Sequence, residues 1–150
     1  MDSEVQGSGD TNGGGPFDPA AHGWEAIPGD GFNGLVGPIW RKPDPGGLRH
    51  AFLADPKHHN RRDFVHGGMI MTFADLSLGM TARHVAGHKH HATIQLDVHF
   101  VDAVSIGEFV EVQAKIVRQT RSVIFMKGDL LVGTRVIATA NGIWKILAGG

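Results

Sequence analysis

The sequence predicts an α+β fold in which a curved antiparallel sheet of five to six strands wraps around one long central helix. Three observations predict it. Residues 67 to 86, GGMIMTFADLSLGMTARHVA, are too long for one strand and read as a helix that is apolar on most of its sides. Segments in which apolar and polar residues alternate flank that helix, two before it and four after. The later segments are joined by short connections such as RQTR and the Gly133 region, which makes them sequential antiparallel neighbours. A helix apolar nearly all round must be covered nearly all round, and strands with one apolar face each do that only by curling around it.

Residues 1 to 16, MDSEVQGSGDTNGGGP, are Gly-rich and polar, with too little apolar surface to offset the entropy of ordering. They predict a flexible tail ahead of a single domain over 17 to 150. They also lack the basic-then-apolar pattern of a signal peptide. Phe17, Trp24, Ile27 and Phe32, spread among Gly and Pro, suggest an irregular or briefly helical lead-in that packs on the domain. LVGPIWRK at 35 to 42 and LRHAFLA at 48 to 54 flank PDPGG, a hairpin signal. After the helix, TIQLDVHF alternates so that Ile94, Leu96, Val98 and Phe100 share the core side, leaving Thr93, Gln95, Asp97 and His99 on the other. In EFVEVQAKIV, Val110, Val112, Ala114 and Ile116 share a face, and SVIFMKGDLLV and TRVIATANGIWKIL complete the set.

Composition narrows the function. With 14 basic and 15 acidic residues in 150, the chain has no global charge to draw nucleic acid or an anionic membrane surface. There is no cysteine, so disulfides, thiolate catalysis and cysteine zinc sites are excluded, and a cytoplasmic location is expected. The apolar stretch holds Asp75, Arg83 and His84 and is too short and polar to favour a bilayer span. His88, His90 and His91 read as a loop after the helix, without the spacing of a helical zinc pair, so no metal site is expected. No cofactor is expected either.

Asp75 is the residue that needs a reason, because a carboxylate among Met71, Phe73, Leu76 and Leu78 is costly unless paired, hydrogen-bonded or near water. Eight residues earlier, Gly67 and Gly68 open the helix, where amides without intrahelical partners point outward with the positive end of the helix dipole. Such a terminus can hold a developing oxyanion; equally, the glycines can simply permit a tight helix entry.

The element order together with HGGMIMTFADLSLGMTA resembles the hotdog-fold acyl-CoA thioesterases of the phenylacetate-pathway type, over roughly residues 24 to 147. That resemblance implies thioester hydrolysis, with the Gly67 amide polarising the carbonyl and Asp75 acting as general base for water or as a nucleophile forming an acyl-enzyme anhydride. It implies that Asn60, in the loop entering the helix, helps hold the carbonyl or water, and that Thr93 positions the water beside the carboxylate. The family usually has Gly between that Asn and the His, where this chain has Asp63. His66 is expected to orient the loop by hydrogen bonding. Lys89, Arg118 and Arg121 are candidates for contacting coenzyme A phosphates, with ordinary surface charge the alternative. Phe64, Phe73, Trp40 and Trp144 either line an aromatic pocket or fill the core.

Gly67 and Asp75 lie about 12 Å apart along a helix axis, too far to serve one thioester carbon. An antiparallel helix from a second subunit would bring one chain's Gly67 beside the other's Asp75, so a homodimer or dimer of dimers with shared sites is expected. The resemblance implies sites at the dimer interface as well. A hotdog hydratase or dehydratase and a non-catalytic acyl-CoA-binding module are the competing readings.

Overall fold

The computed structural model describes residues 15–149. Apart from the exposed Gly15 and Pro16, the expected tail lies outside the described residues. Seven strands form one sheet: β1 (Glu25–Ile27), β2 (Ile39–Asp44), β3 (Gly47–Leu53), β4 (His91–Phe100), β5 (Phe109–Gln119), β6 (Val123–Val132) and β7 (Arg135–Ile146). Their order is β1-β2-β3-β5-β6-β7-β4, with every neighbouring pair antiparallel. A short helix α1 (Gly31–Val36) and a long helix α2 (Gly67–Val85) complete the architecture. This is the hotdog arrangement, a sheet curved about one long helix.

The strand beyond the expected five or six is β1, which lies in the lead-in and pairs Ala26 with Trp40. The lead-in is fastened by aromatic contacts: the Phe17 and Trp24 rings lie 4.9 and 5.1 Å from that of Phe109. The strand expected from residue 35 begins only at Ile39, because 31 to 36 form α1. The Gly37 amide closes that helix on the Asn33 carbonyl. The hairpin itself is as expected, with Asp44 opposite Gly47 across Pro45 and Gly46.

One face of α2 makes the core. Phe73, Ala74, Leu78 and Ala82 are buried against Phe52, Val110, Ile124, Leu130 and Trp144. Leu78 rests on the bare backbone of Gly128, where an added Cβ would lie 2.8 Å from its Cδ2. Phe73 and Trp144 are therefore core residues. The sheet does not close over the other face: Met71 is exposed, and Thr72, Asp75, Leu76 and Met80 are only half-buried. The expectation that the sheet covers α2 nearly all round is corrected, since within one chain the cover is one-sided. Strand β5 shows the same limit. Val110 and Val112 are buried, but Ala114 and Ile116 are exposed, in the part of β5 that runs on beyond its pairing with β3.

The largest departure from simple alternation is in β4. Thr93 pairs with Trp144 and Gln95 with Ile143, so Ile94 is an extra residue without an opposite. This bulge resets the parity of the strand. Leu96 and Val98 pack toward the core as expected, but Thr93 joins them on the helix side, and Ile94 is 57% exposed. Among the described residues no helix is long and apolar enough to cross a membrane.

Candidate functional site

The open face of α2 and the edge strand β4 run alongside one another and meet at three positions where the helix carries glycine or aspartate. At the N-terminal end, a Cβ on Gly67 would lie 3.2 Å from Cζ of Phe100. Two turns further on, the Thr93 hydroxyl donates to Oδ1 of Asp75 at 2.7 Å. One turn beyond that, a Cβ on Gly79 would lie 3.0 Å from Nε2 of His91 and 3.2 Å from Nε1 of Trp144.

The entry to α2 is held by side-chain capping. His66 is the N-cap, and its Nδ1 accepts the Gly68 amide at 2.8 Å, so a neutral ring carries its proton on Nε2. Its own backbone N–H donates to the His58 carbonyl at 2.7 Å. The two glycines consequently differ. The Gly68 amide is engaged, whereas the Gly67 amide has no hydrogen-bond partner among the described residues and remains at the positive end of the helix dipole.

Asn60 lies in the loop before this entry. Its Oδ1 accepts the amides of Arg62 at 2.7 Å and Phe64 at 3.2 Å, and its backbone N–H donates to the Phe64 carbonyl at 2.6 Å. With the oxygen used inside the loop, the side-chain NH2 is the end left to donate outward. Asp63 has φ +62°, the left-handed conformation that glycine adopts freely and that Asp tolerates better than most residues. The loop therefore keeps a glycine-like turn despite the substitution.

The structure thus brings Thr93 to Asp75 and groups Asn60, His66, Gly67 and Gly68 at the helix entry, while eight residues of helix separate Gly67 from Asp75. Of the three basic candidates, Lys89 and Arg121 line one open basin of about 750 Å³ together with His88 and His90. Arg118 is not part of it, being exposed on β5 opposite Phe125. The histidine cluster is also divided, since His91 is the first residue of β4 rather than part of the loop. His91 is half-buried, and burial holds its pKa below the ordinary value; Arg83 and His90 act in the same direction and the Asp75 charge opposes them. Sequence reasoning passed over Phe100 and the pairing of His91 with α2. The bulge that sets the strand's parity carries no glycine to mark it, although Gly79 inside a helix was a signal that something approaches closely there.

Beside Gly68 a shallow groove of about 410 Å³ runs between Phe32 and Val36 of α1 and His66, Met69 and Thr72. Lys57 and His58 hold α1 in place through the carbonyls of Gly37 and Val36.

Comparison with known proteins gives a consistent result. The sequence profile of the thioesterase superfamily matches residues 63–138, which take in the α2 entry, Asp75 and Thr93. A Pseudomonas aeruginosa protein with the provisional name esterase PA0474 is 28% identical over 114 residues, spanning 75% of this chain and 85% of the relative. Among solved structures, zebra fish thioesterase superfamily member 2 superposes with a TM-score of 0.71 at 21% identity, covering 79% of this chain and 88% of that one. A variant of the phenylacetic acid degradation protein PaaI from Thermus thermophilus gives 0.69 at 18% identity, covering 79% and 100%. A Bacillus halodurans protein solved with CoA gives 0.61 at 24% identity, covering 68% of each chain.

Proposed function

The chain belongs to the thioesterase superfamily, and on that premise we propose that it hydrolyses an acyl-CoA thioester to the free acid and coenzyme A. The observation that carries this reading is the hydrogen bond from Thr93 to Asp75, on the same helix whose first amide, that of Gly67, is unpartnered among the described residues. Thr93 occupies one oxygen of the carboxylate, leaving the other to take a proton from water. The Gly67 amide donates to the carbonyl oxygen and is strongest there when that oxygen becomes an anion. The Asn60 NH2 assists at the same oxygen or at the water. His66 shapes the entry by capping Gly68 and transfers no proton. The bond to sulfur then breaks, and the thiolate departs toward the basin of Lys89 and Arg121, which suits the phosphates of coenzyme A. The CoA in the Bacillus halodurans relative supports that class of substrate. The cysteine-free composition suits the cytoplasm.

Asp75 acts as a base on water or, by direct attack, as a nucleophile through an anhydride. Label found in the Asp75 carboxylate after a single turnover in ¹⁸O-labelled water identifies the anhydride route, with water attacking the Asp75 carbonyl carbon. Gly67 and Asp75 stand about 12 Å apart on one helix, so we assign the complete site to a homodimer, alone or as a dimer of dimers, with Gly67 of one subunit facing Asp75 of the other. The uncovered face of α2 is the surface available for that pairing.

Release of free coenzyme A, followed with a thiol reagent over aromatic, short and long acyl-CoAs, tests the activity, and the absence of cysteine leaves no protein background. Binding without release would make the chain an acyl-CoA-binding module, and hydration of an enoyl-CoA without thiol release would make it a hydratase. Mixing inactive Asp75→Asn subunits with inactive Asn60→Ala subunits tests the sharing. A mixed dimer collects both lesions in one site and leaves the other intact, so activity returns on exchange. No return despite verified exchange would place Asn60 and Asp75 in one chain's site, or show that one of them is not catalytic.

A further inference from the structure

The third meeting point of α2 and β4 is unused by the mechanism above. Gly79 has helical neighbours on both sides, and glycine in a helix interior costs about 1 kcal/mol relative to alanine. Its bareness has a visible use: the His91 and Trp144 rings both crowd the place where a side chain would begin. Trp144 is fully buried, and its Nε1 has no hydrogen-bond partner among the described residues. His91 likewise makes no side-chain hydrogen bond among the described residues, although it lies on the face of β4 that carries Thr93, one helical turn from Asp75. A buried indole N–H and an imidazole nitrogen thus converge at Gly79, one helical turn from a carboxylate whose second oxygen is unengaged among the described residues, and a single water can link such groups.

We propose that His91 is a positioning residue acting through Asp75: linked through water to the carboxylate and to the Trp144 N–H, it receives the proton that Asp75 takes up and restores the base for the next turnover. This rests on Asp75 being the base. In the balanced step, the water oxygen bonds to the thioester carbon as one of its protons goes to Asp75. The carbon–sulfur bond breaks with its electron pair remaining on sulfur, and the thiolate takes a proton from solvent. The proton on Asp75 passes to His91 and on to solvent, so His91 ends the cycle neutral. A neutral resting imidazole is required, and the groups facing it favour one: burial, Arg83 of α2 and His90 all hold the cation off, against the opposing charge of Asp75.

The test is His91→Ala, with His91→Gln as the variant that keeps polar contact without titrating, in steady-state thioester hydrolysis. The expected result for both is a fall in kcat of about 10²-fold, at the low end of general acid-base contributions, with KM nearly unchanged. Added imidazole should restore the alanine variant in part, and the acid limb of the wild-type kcat profile should change shape in both. A kcat close to wild type, or a loss that imidazole does not relieve with the pH profile unmoved, would overturn the proposal. If Asp75→Asn is inactive while His91→Ala is fully active, this inference alone falls; if Asp75→Asn also keeps full activity, the reading of the site falls with it.

Discussion

The two sides of α2 obey different rules. Toward β5, β6 and β7, Phe73, Leu78, Ile124 and Leu130 interlock with no exposed area, and β6 alternates buried and exposed for most of its length. Toward β4, the helix presents Gly67, Asp75 and Gly79, and the strand answers with a bulge, an exposed isoleucine and three side chains aimed at those positions. The first side does what burial of apolar surface rewards. The second spends a helix glycine, an unpartnered amide and a broken ladder, features that cost stability and that recur where chemistry is done.

The sharpest way to break this contrast is to exchange the consequences of mutation between the sides. Asp75→Asn keeps the shape and removes the proposed base, so kcat should fall by about 10²- to 10⁴-fold. Folding stability should hold or rise, because a half-buried carboxylate beside apolar neighbours is replaced by a neutral group. Leu78→Ala, three residues on but fully buried in the core, should do the reverse. Its side chain has no exposure, so the expected loss is about 2–5 kcal/mol in a urea melt. The rate per folded molecule should be nearly unchanged. An Asp75→Asn protein that is as active as wild type, or a Leu78→Ala protein that is stable but inactive, would show that the two faces are not functionally distinct.

The buried side was the more legible in sequence, for a physical reason. Alternation in β6 and β7 and the long apolar run of α2 are imposed by a dry interior, and a period survives wherever burial is uniform. The same logic misassigned Thr93, because it assumed the period of two continues through residue 94. Nothing in HATIQLDVHF marks the extra residue, since the bulge is fixed by pairing with β7 and not by local preference. The motif at the helix entry could be read because its residues are close in sequence. The contacts of Phe100 and His91 could not, since they depend on how β4 lies against the helix. The one-sided cover of α2 escaped as well, because an apolar surface left open within one chain has the same composition as one buried in its core.

A pH experiment sharpens the comparison from the buried side. His50 is 3% exposed, lies opposite Arg41 in the β2–β3 ladder, and has an Nδ1 without a partner among the described residues. Burial first, then the charges of Arg41 and His84, draw its pKa down from 6.5 to about 4. Below pH 6.5 the unfolded chain takes a proton that the folded one refuses until about pH 4. Acidification through that window therefore lowers stability. His58 and His91, also held below their ordinary value, add slope of the same sign. Urea midpoints measured from pH 7 down to 4.5 should fall for the wild type and fall less for His50→Asn, with the residual slope belonging to the other two histidines. Equal slopes in the two proteins would show that His50 does not refuse the proton.

The smallest expected effect lies at Asp63, on the loop that carries Asn60. With φ at +62°, this position asks for a conformation that costs an ordinary L-residue about 1–2 kcal/mol and costs glycine almost nothing. Asp pays less than most, and glycine gives part of the gain back through a more flexible unfolded chain. Asp63→Gly should therefore shift stability by less than about 0.5 kcal/mol and leave the rate close to wild type. Asp63→Val has neither the freedom of glycine nor the tolerance of Asp, because a β-branched side chain is disfavoured at positive φ. It should lose about 1–2 kcal/mol or push the loop out of shape. A distorted loop would move Asn60, whose Oδ1 bonds reach the amides of Arg62 and Phe64 on either side of residue 63, so the rate should fall with the stability. Calorimetric melts and thiol-release rates on the two variants decide the matter. A valine variant equal to wild type in both would mean that the left-handed turn does not hold Asn60 in place.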